Sequence, residues 1–258
     1  MSLYKYLSPD RIDDVLSKAT LAVGLSSERN DPFDELIPVD WDASDEELRR
    51  QYIAKGIEIQ FEKYAAFQRT QKDSRRGEVS ALLRTKQDER FGAISLSKVW
   101  DSIPMWSYYA REHQGFVIEF DETHPAFFIK QCTGVLLPII YGNRAVVRGK
   151  LNLKEPLPIF IKAPAWAHEE EMRIVMKLED CSTPFQTPEG RQIHPVEYPR
   201  EAVTKIFLGC RISPCRRAYV QENFRRWGFS NARLIALEPH HEYFGFEERE
   251  LIVSGTTV

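Results

Sequence analysis

The chain has 258 residues and a formal net charge of −3 at pH 7. With 43% hydrophobic and 12% aromatic residues, its composition is typical of a soluble globular protein and excludes disordered, collagen-like and membrane-spanning classes. The charge balance provides no overall basic surface for nucleic acid, although it leaves room for a local basic patch.

The amino-terminal residues MSLYKYLSPDRIDD lack the basic, apolar and small-residue succession of a secretion signal. No later stretch approaches the roughly 20 apolar residues that a membrane-spanning helix needs. We therefore expect a cytoplasmic protein with no membrane partner.

Short strands and helices alternate in the first part of the chain. A strand over 3–6 precedes a helix whose start is marked by Ser8 as N-cap and Pro9 in the first turn. A second strand is expected over 20–24. Ser44 and Glu47 then form a capping box before a long helix. One face of that helix collects the apolar residues Ile53, Ile57, Phe61 and Tyr64.

Strands dominate the rest of the chain. The predicted strands are FGAISLS, GFVIEF, VLLPIIYG, EMRIVMKL, VTKIFLG and ARLIALE. The aromatic segment VWDSIPMWSYYAREHQG predicts a packed helix that ends at Gly115, and a later helix over about 214–227 ends at Gly228. Since no repeat or interior linker interrupts the pattern, we expect a single α+β domain over 1–258 with a mixed or antiparallel sheet.

Several common motifs are absent from the sequence. It contains no GxGxxG, P-loop, GxSxG, HExxH or CxxC pattern. The usual dehydrogenase, NTPase, hydrolase and zinc-site interpretations are therefore not supported, and no metal ligand is predicted.

The most informative segment is WAHEEEMRIVM. If a strand begins near Glu169, then Glu169, Glu171 and Arg173 point to one side, at intervals of about 6.6 Å. Arg173 would hold the two carboxylates through charge-assisted hydrogen bonds. The pattern fits a chemical site, and it fits a salt-bridged sheet face equally well.

Two other strands carry candidate ligands. In LYKYLS, the two tyrosines lie on one side and Lys5 on the other, so that Tyr6 suits stacking on a planar ring and Lys5 suits a phosphate. Core packing also explains the tyrosines and the aromatic segment around Trp106. In ISLSK, Ser95 and Ser97 share one face of a strand, where buried hydroxyls must find partners.

These segments together resemble a known bacterial family. The pieces LYKYLS, NDPFDE, ISLSK, MWSYYAREHQGFVIEF and WAHEEEMRIV are similar to the DUF2971 family over most of the chain to about residue 180. The family name itself conveys no chemistry.

A more distant resemblance is to ADP-ribosyltransferases of the type that modifies DNA or RNA. Their three motifs, a polar residue in a first strand, a serine-rich strand and a Glu-x-Glu strand, match Lys5, Ser95 with Ser97, and Glu169 with Glu171. The chain departs from the pattern because lysine stands where histidine or arginine is usual. The resemblance implies the ADP-ribosyltransferase fold, with helices around the sheet.

The resemblance also implies roles for the matched residues. Glu171 would hold the ribose of NAD, and Glu169 would orient or deprotonate the acceptor. Tyr6 or Trp106 would stack on nicotinamide, Ser97 would order the site, and Arg173 would fix the carboxylates. The implied activity is NAD-dependent transfer of ADP-ribose to a macromolecule such as RNA or DNA, in a toxin or phage-defence effector that has an antitoxin-like partner.

Two other functions stay open on the sequence. One is a catalytically silent domain that recognises a nucleotide or a protein partner. The other is a metal-dependent nuclease built from four carboxylates: Asp31, Glu119, Glu169 and Glu171.

Overall fold

A computed structural model describes most of the chain outside the region between residues 35 and 87. The described residues are 2–31, 33–34, 39–40, 46, 50, 85, 88–125, 127, 134–142, 147–148, 160–187, 190 and 192–253. The long helix predicted after Ser44 falls outside the described residues, apart from Glu46 and Arg50, both of which are helical.

Two compact units make up the chain. The first, which we name the sheet unit, comprises Met1–Gly24, Gly92–Ile139 and Ala167–Val258. The second, the insert unit, comprises Leu25–Phe91 and Ile140–Trp166. The residues predicted for the ADP-ribosyltransferase site all belong to the sheet unit, whereas Asp31, named for a nuclease, belongs to the insert unit.

Strands are the main element of the described residues. In chain order they are β1 (Ser2–Leu7), β2 (Thr20–Val23), β3 (Val39–Asp40), β4 (Phe91–Ser97), β5 (Phe116–Asp121), β6 (Val135–Pro138), β7 (Ile140–Tyr141), β8 (Val147–Arg148), β9 (Ile161–Lys162), β10 (Glu171–Lys177), β11 (Phe185–Gln186), β12 (Gln192–Glu197), β13 (Val203–Leu208), β14 (Arg233–Pro239) and β15 (Phe246–Glu250). Within the part of the chain that the structure describes, the α-helices with defined bounds are α1 (Ile103–Tyr108) and α2 (Pro214–Asn223). The fold is therefore mixed α+β, as the sequence predicts.

The sheet unit is built on an open eight-stranded sheet in the order β15-β14-β13-β5-β1-β4-β10-β6. Most pairs are antiparallel, and β13 with β14 is parallel. A smaller sheet has the order β11-β12-β2. In the insert unit, β3 pairs with β8 and β7 pairs with β9. Strand β1, at the start of the chain, therefore lies in the middle of the main sheet.

Local signals predict the start of α2 correctly, whereas two other elements differ from the prediction. The side chain of Ser213 accepts a hydrogen bond from the backbone N–H of Arg216 and so caps α2, as its position before Pro214 suggests. After Pro9 the chain forms a 3₁₀ turn and a π-helical turn, a less regular structure than the predicted helix. The predicted strand VLLPIIYG is divided between β6 and β7.

Strand β15 is not predicted from the sequence, because its charged residues do not show the alternation of apolar and polar side chains that indicates a strand. Its residues FEERE lie at the edge of the main sheet, where four of the five are exposed. Charged side chains at an edge protect a sheet from pairing with another chain. An edge strand therefore need not show the apolar alternation that identifies an inner strand.

Each face of the eight-stranded sheet packs its own apolar cluster. Face A carries Leu3, Ile94, Leu96, Phe116, Ile118, Phe120, Ile174, Ile206, Leu208 and Leu234. Face B carries Tyr6, Val117, Phe207, Ile235 and Leu237, on which Met105, Trp106 and Ala110 pack. Because side chains alternate along a strand, these two sets also assign a face to the polar residues between them.

None of the described helices is both long enough and apolar enough to span a membrane.

Gly115, the residue before β5, permits a close approach to the end of β1, and replacing it is expected to destabilise the protein. A Cβ at this position would lie 2.0 Å from the carbonyl oxygen of Leu7. We expect Gly115→Ala to lower the free energy of unfolding by about 1–3 kcal/mol, since backbone atoms must shift. The matched control is Gly142→Ala, where a Cβ would meet nothing within 4 Å. Thermal unfolding checks this, and equal melting temperatures for the two variants would contradict it.

Candidate functional site

A row of polar side chains crosses face B. Lys205 on β13 lies opposite Glu119 on β5, Glu119 lies opposite Tyr4 on β1, and Tyr4 lies opposite Ser97 on β4. Directly paired residues of antiparallel strands share a face. Glu171 is the first residue of β10, which neighbours β4. The residues of β10 that alternate with Glu171 belong to face A, so that Glu171 lies on face B. We name these five residues the polar row.

Glu171 and Arg173 form a buried ion pair at one end of the polar row. Nε of Arg173 donates to Oε1 of Glu171 at 2.6 Å, and Nη2 lies 3.2 Å from Oε2. Arg173 is 0% and Glu171 4% exposed. Since a buried charge is very costly without a partner, each side chain fixes the other. The sequence predicts that Arg173 holds both Glu169 and Glu171, and the structure shows its hydrogen bonds to Glu171.

Ser97 joins the end of β4 to the segment before β10. Its Oγ donates to the carbonyl oxygen of Glu169 at 2.6 Å and accepts from the backbone N–H of Val99 at 3.0 Å. Both hydrogen-bonding functions of the hydroxyl are therefore used inside the protein, and Ser97 is 1% exposed. Ser95 alternates to the same face as Ser97, and its backbone carbonyl accepts a hydrogen bond from Lys5.

Glu169 does not lie on the strand that the sequence predicts for it. It is the last residue of a 3₁₀ helix, Pro164–Glu169, and β10 begins only at Glu171. Between them Glu170 has φ +42°, a left-handed conformation that cannot continue a strand. The expected spacing of about 6.6 Å between Glu169 and Glu171, which assumed one continuous strand, therefore does not apply.

The carboxylate of Glu169 is held by the tyrosine that directly follows α1. This residue, Tyr109, donates a hydrogen bond from its hydroxyl group to Oε1 of Glu169 at 2.6 Å. Glu169 is 3% exposed, whereas Tyr109 is half-buried and packs against the face B cluster. This contact joins segments 60 residues apart.

Lys5 belongs to the opposite side of the sheet. It lies between Leu3 and Leu7, which pack against the face A cluster, whereas Tyr6 belongs to face B. Its Nζ donates to the carbonyl oxygen of Ser95 at 2.8 Å. The structure thus brings Ser97 and Glu171 together on one face, and alternation turns Lys5 away from them.

Tyr6 and Trp106 have the contacts of core residues. Their rings meet edge to face at 5.6 Å, and Trp106 is 0% exposed. The Tyr6 hydroxyl donates to the carbonyl of Val99, and the indole N–H of Trp106 donates to that of Trp100. Burial raises the pKa of Tyr6 far above its ordinary value, so this hydroxyl stays protonated. The core interpretation, which the sequence left open, fits these contacts better than stacking on nicotinamide.

The structure adds Tyr4 and Tyr109 to the neighbourhood of the site, and it places Glu119, which the sequence suggested only for a nuclease, opposite Tyr4. Tyr4 and Tyr6 alternate to the same side of β1, and Tyr4 is the less buried of the two. Burial and the negative charge of Glu119 raise the pKa of Tyr4. Strand alternation alone predicts that Tyr4 and Lys5 take opposite sides. No sequence pattern identifies Tyr109 as the partner of Glu169.

The carboxylates named for a nuclease have other partners in the structure. Asp31 accepts a hydrogen bond from the indole of Trp166, and Glu119 accepts one from Ser2 while Lys205 lies 3.8 Å away. In the described part of the chain, no group of three or more His, Cys, Asp or Glu side chains is arranged to hold a metal ion.

Comparison with known proteins supports the family resemblance in the middle of the chain. Residues 105–174 match the family model described as "Protein of unknown function (DUF2971)". That range includes Tyr109, Glu169, Glu171 and Arg173. No curated protein and no solved structure matches the chain. The resemblance to ADP-ribosyltransferases stays a prediction.

Removing one member of the buried ion pair is expected to cost more than removing both. Arg173→Met leaves Glu171 buried without its cation and is expected to lower the free energy of unfolding by about 3–5 kcal/mol. The double variant Arg173→Met with Glu171→Met removes both charges and is expected to recover most of that loss. Urea unfolding of the three proteins measures the coupling. An equal or greater loss in the double variant would contradict it.

Proposed function

We propose that the protein is an ADP-ribosyltransferase that consumes NAD as a substrate and modifies a macromolecule, with Glu171 as its catalytic carboxylate. One observation carries the proposal: Ser97 and Glu171, from two motifs 74 positions apart in the chain, lie on neighbouring strands and on the same face of the sheet. In the main sheet, β4, the strand of Ser97, lies between β1 and β10.

The ion pair suits Glu171 to this chemistry. When the bond between nicotinamide and ribose breaks, nicotinamide leaves as a neutral molecule and positive charge develops on the ribose. A carboxylate fixed beside the sugar stabilises that charge. Arg173 fixes the direction of both carboxylate oxygens through two hydrogen bonds.

Glu169 suits the second half of the reaction. The acceptor forms a new bond to the ribose carbon and loses a proton, which the carboxylate of Glu169 would accept. Water in place of the acceptor gives free ADP-ribose, nicotinamide and a proton. RNA and DNA are the acceptors that the resemblance favours, and a toxin or phage-defence role with an antitoxin-like partner is part of the same proposal.

Lys5 has no role in this form of the proposal, because it does not share face B with Glu171. Tyr4 is the residue of β1 that does, opposite Ser97. Its half-buried ring is available to a planar group at the site. The motif residue of the first strand is therefore proposed to be Tyr4.

A second function, recognition without catalysis, is favoured by one observation. Glu171 is 4% exposed and both of its oxygens are already engaged by Arg173. An ion pair of this kind also occurs as a purely structural element of a sheet. In that case the polar row would bind a nucleotide or a protein partner and leave it unchanged.

Release of nicotinamide distinguishes these two functions. The protein is incubated with NAD labelled on nicotinamide or on adenine, together with RNA, DNA or cell lysate. We expect free labelled nicotinamide and an acceptor that carries the adenine label. Binding of NAD with neither product would support the recognition domain and contradict the transferase.

Glu171→Gln tests the assigned carboxylate. We expect at least an approximately 100-fold loss of nicotinamide release, because the amide lacks the negative charge that stabilises the ribose. The matched control is Glu170→Gln, the same chemical change at an exposed neighbouring position, which should keep the wild-type rate. Thermal unfolding of both variants checks that each is folded. A folded Glu171→Gln variant with full activity would overturn the assignment.

A further inference from the structure

The end of α1 is fixed in an energetically costly conformation. Three consecutive residues after Tyr109 and Ala110, namely Arg111, Glu112 and His113, have φ values of 45°, 54° and 66°. Left-handed backbone is energetically unfavourable for a non-glycine residue, so that surrounding contacts must maintain it. Such strain is frequent next to functional sites.

Backbone contacts hold this turn in place. The amide of His113 donates to the carbonyl of Trp106, and the carbonyl of His113 accepts from the amide of Arg211. Gly209 lies so close below the turn that a Cβ there would be 2.2 Å from the carbonyl oxygen of His113. The helix end cannot shift without breaking these contacts, and the direction of the Tyr109 side chain is fixed with it.

Glu169 is held independently from the other side. Ser97 binds its carbonyl oxygen, and the left-handed conformation of Glu170 turns the chain immediately after it. The hydrogen bond between Tyr109 and Oε1 of Glu169 therefore joins two rigid supports. Its distance of 2.6 Å is in the range of a charge-assisted O–H···O bond.

We propose that Tyr109 is a positioning residue that directs the carboxylate of Glu169 toward the acceptor. This inference rests on the proposed function. Tyr109 would then control the ratio of ADP-ribose transfer to NAD hydrolysis. The reason is that Glu169 acts on the acceptor, whereas Glu171 acts on the ribose in both reactions. Loss of the tyrosine hydroxyl removes a contact that orients this carboxylate, so that transfer suffers more than hydrolysis.

Tyr109→Phe tests this role. The rates of transfer to the acceptor and of NAD hydrolysis are measured separately, and we expect transfer to fall about tenfold more than hydrolysis. Glu169→Gln, which alters the same bond from its other end, should change the ratio in the same direction. The matched control is Tyr108→Phe, the same change at a neighbouring tyrosine that is 67% exposed, and it should keep the wild-type ratio.

The outcomes separate the inference from the function on which it rests. If the wild-type protein neither transfers ADP-ribose nor hydrolyses NAD, the proposed function is wrong. If it is active and Tyr109→Phe lowers both rates equally, together with its melting temperature, Tyr109 is only a structural contact and the inference alone is overturned. An unchanged ratio in a fully stable Tyr109→Phe variant overturns it as well.

Discussion

The buried ion pair between Glu171 and Arg173 is the constraint on which the rest of the site depends. Two charges that are removed from water are stable only if they pair with good geometry. Here two hydrogen bonds join the side chains, which lie at the start of β10 on face B. Because the pair holds Glu171 and Arg173 on face B, the residues of β10 that alternate with them lie on face A. It also gives a carboxylate of defined direction at the end of a row of polar groups. Rigidity of this kind is what a reaction that develops charge on a sugar requires.

The two faces of the main sheet have different tasks. Face A is apolar along the inner strands, apart from Lys5 on β1, and supplies most of the core. Face B combines a smaller aromatic cluster with the polar row. This division explains why Lys5 and Tyr4, neighbours on β1, have different environments. Lys5 supports the sheet through the carbonyl of Ser95, and Tyr4 lies beside Ser97.

Helix α1 and the turn after it connect that aromatic cluster to the candidate site. Trp106 packs in the cluster, the strained turn around His113 is held against Gly209, and Tyr109, which lies between them in the chain, donates a hydrogen bond to Glu169. Packing on both sides of Tyr109 therefore determines the direction of its hydroxyl. The family match over residues 105–174 covers both Tyr109 and Glu169.

The sequence by itself determined the α+β class, most inner strands and the arrangement of Glu171 with Arg173, because these follow from local alternation of apolar and polar residues. It also determined that Lys5 and the neighbouring tyrosines take opposite sides of β1. Only the tertiary structure decided which of those sides Ser97 and Glu171 share, because strand order and register depend on burial summed over distant segments. Only the tertiary structure also showed that Glu169 lies outside β10, because Glu170 has a left-handed conformation. It likewise decided the contact between Glu169 and Tyr109, which are 60 positions apart in the chain.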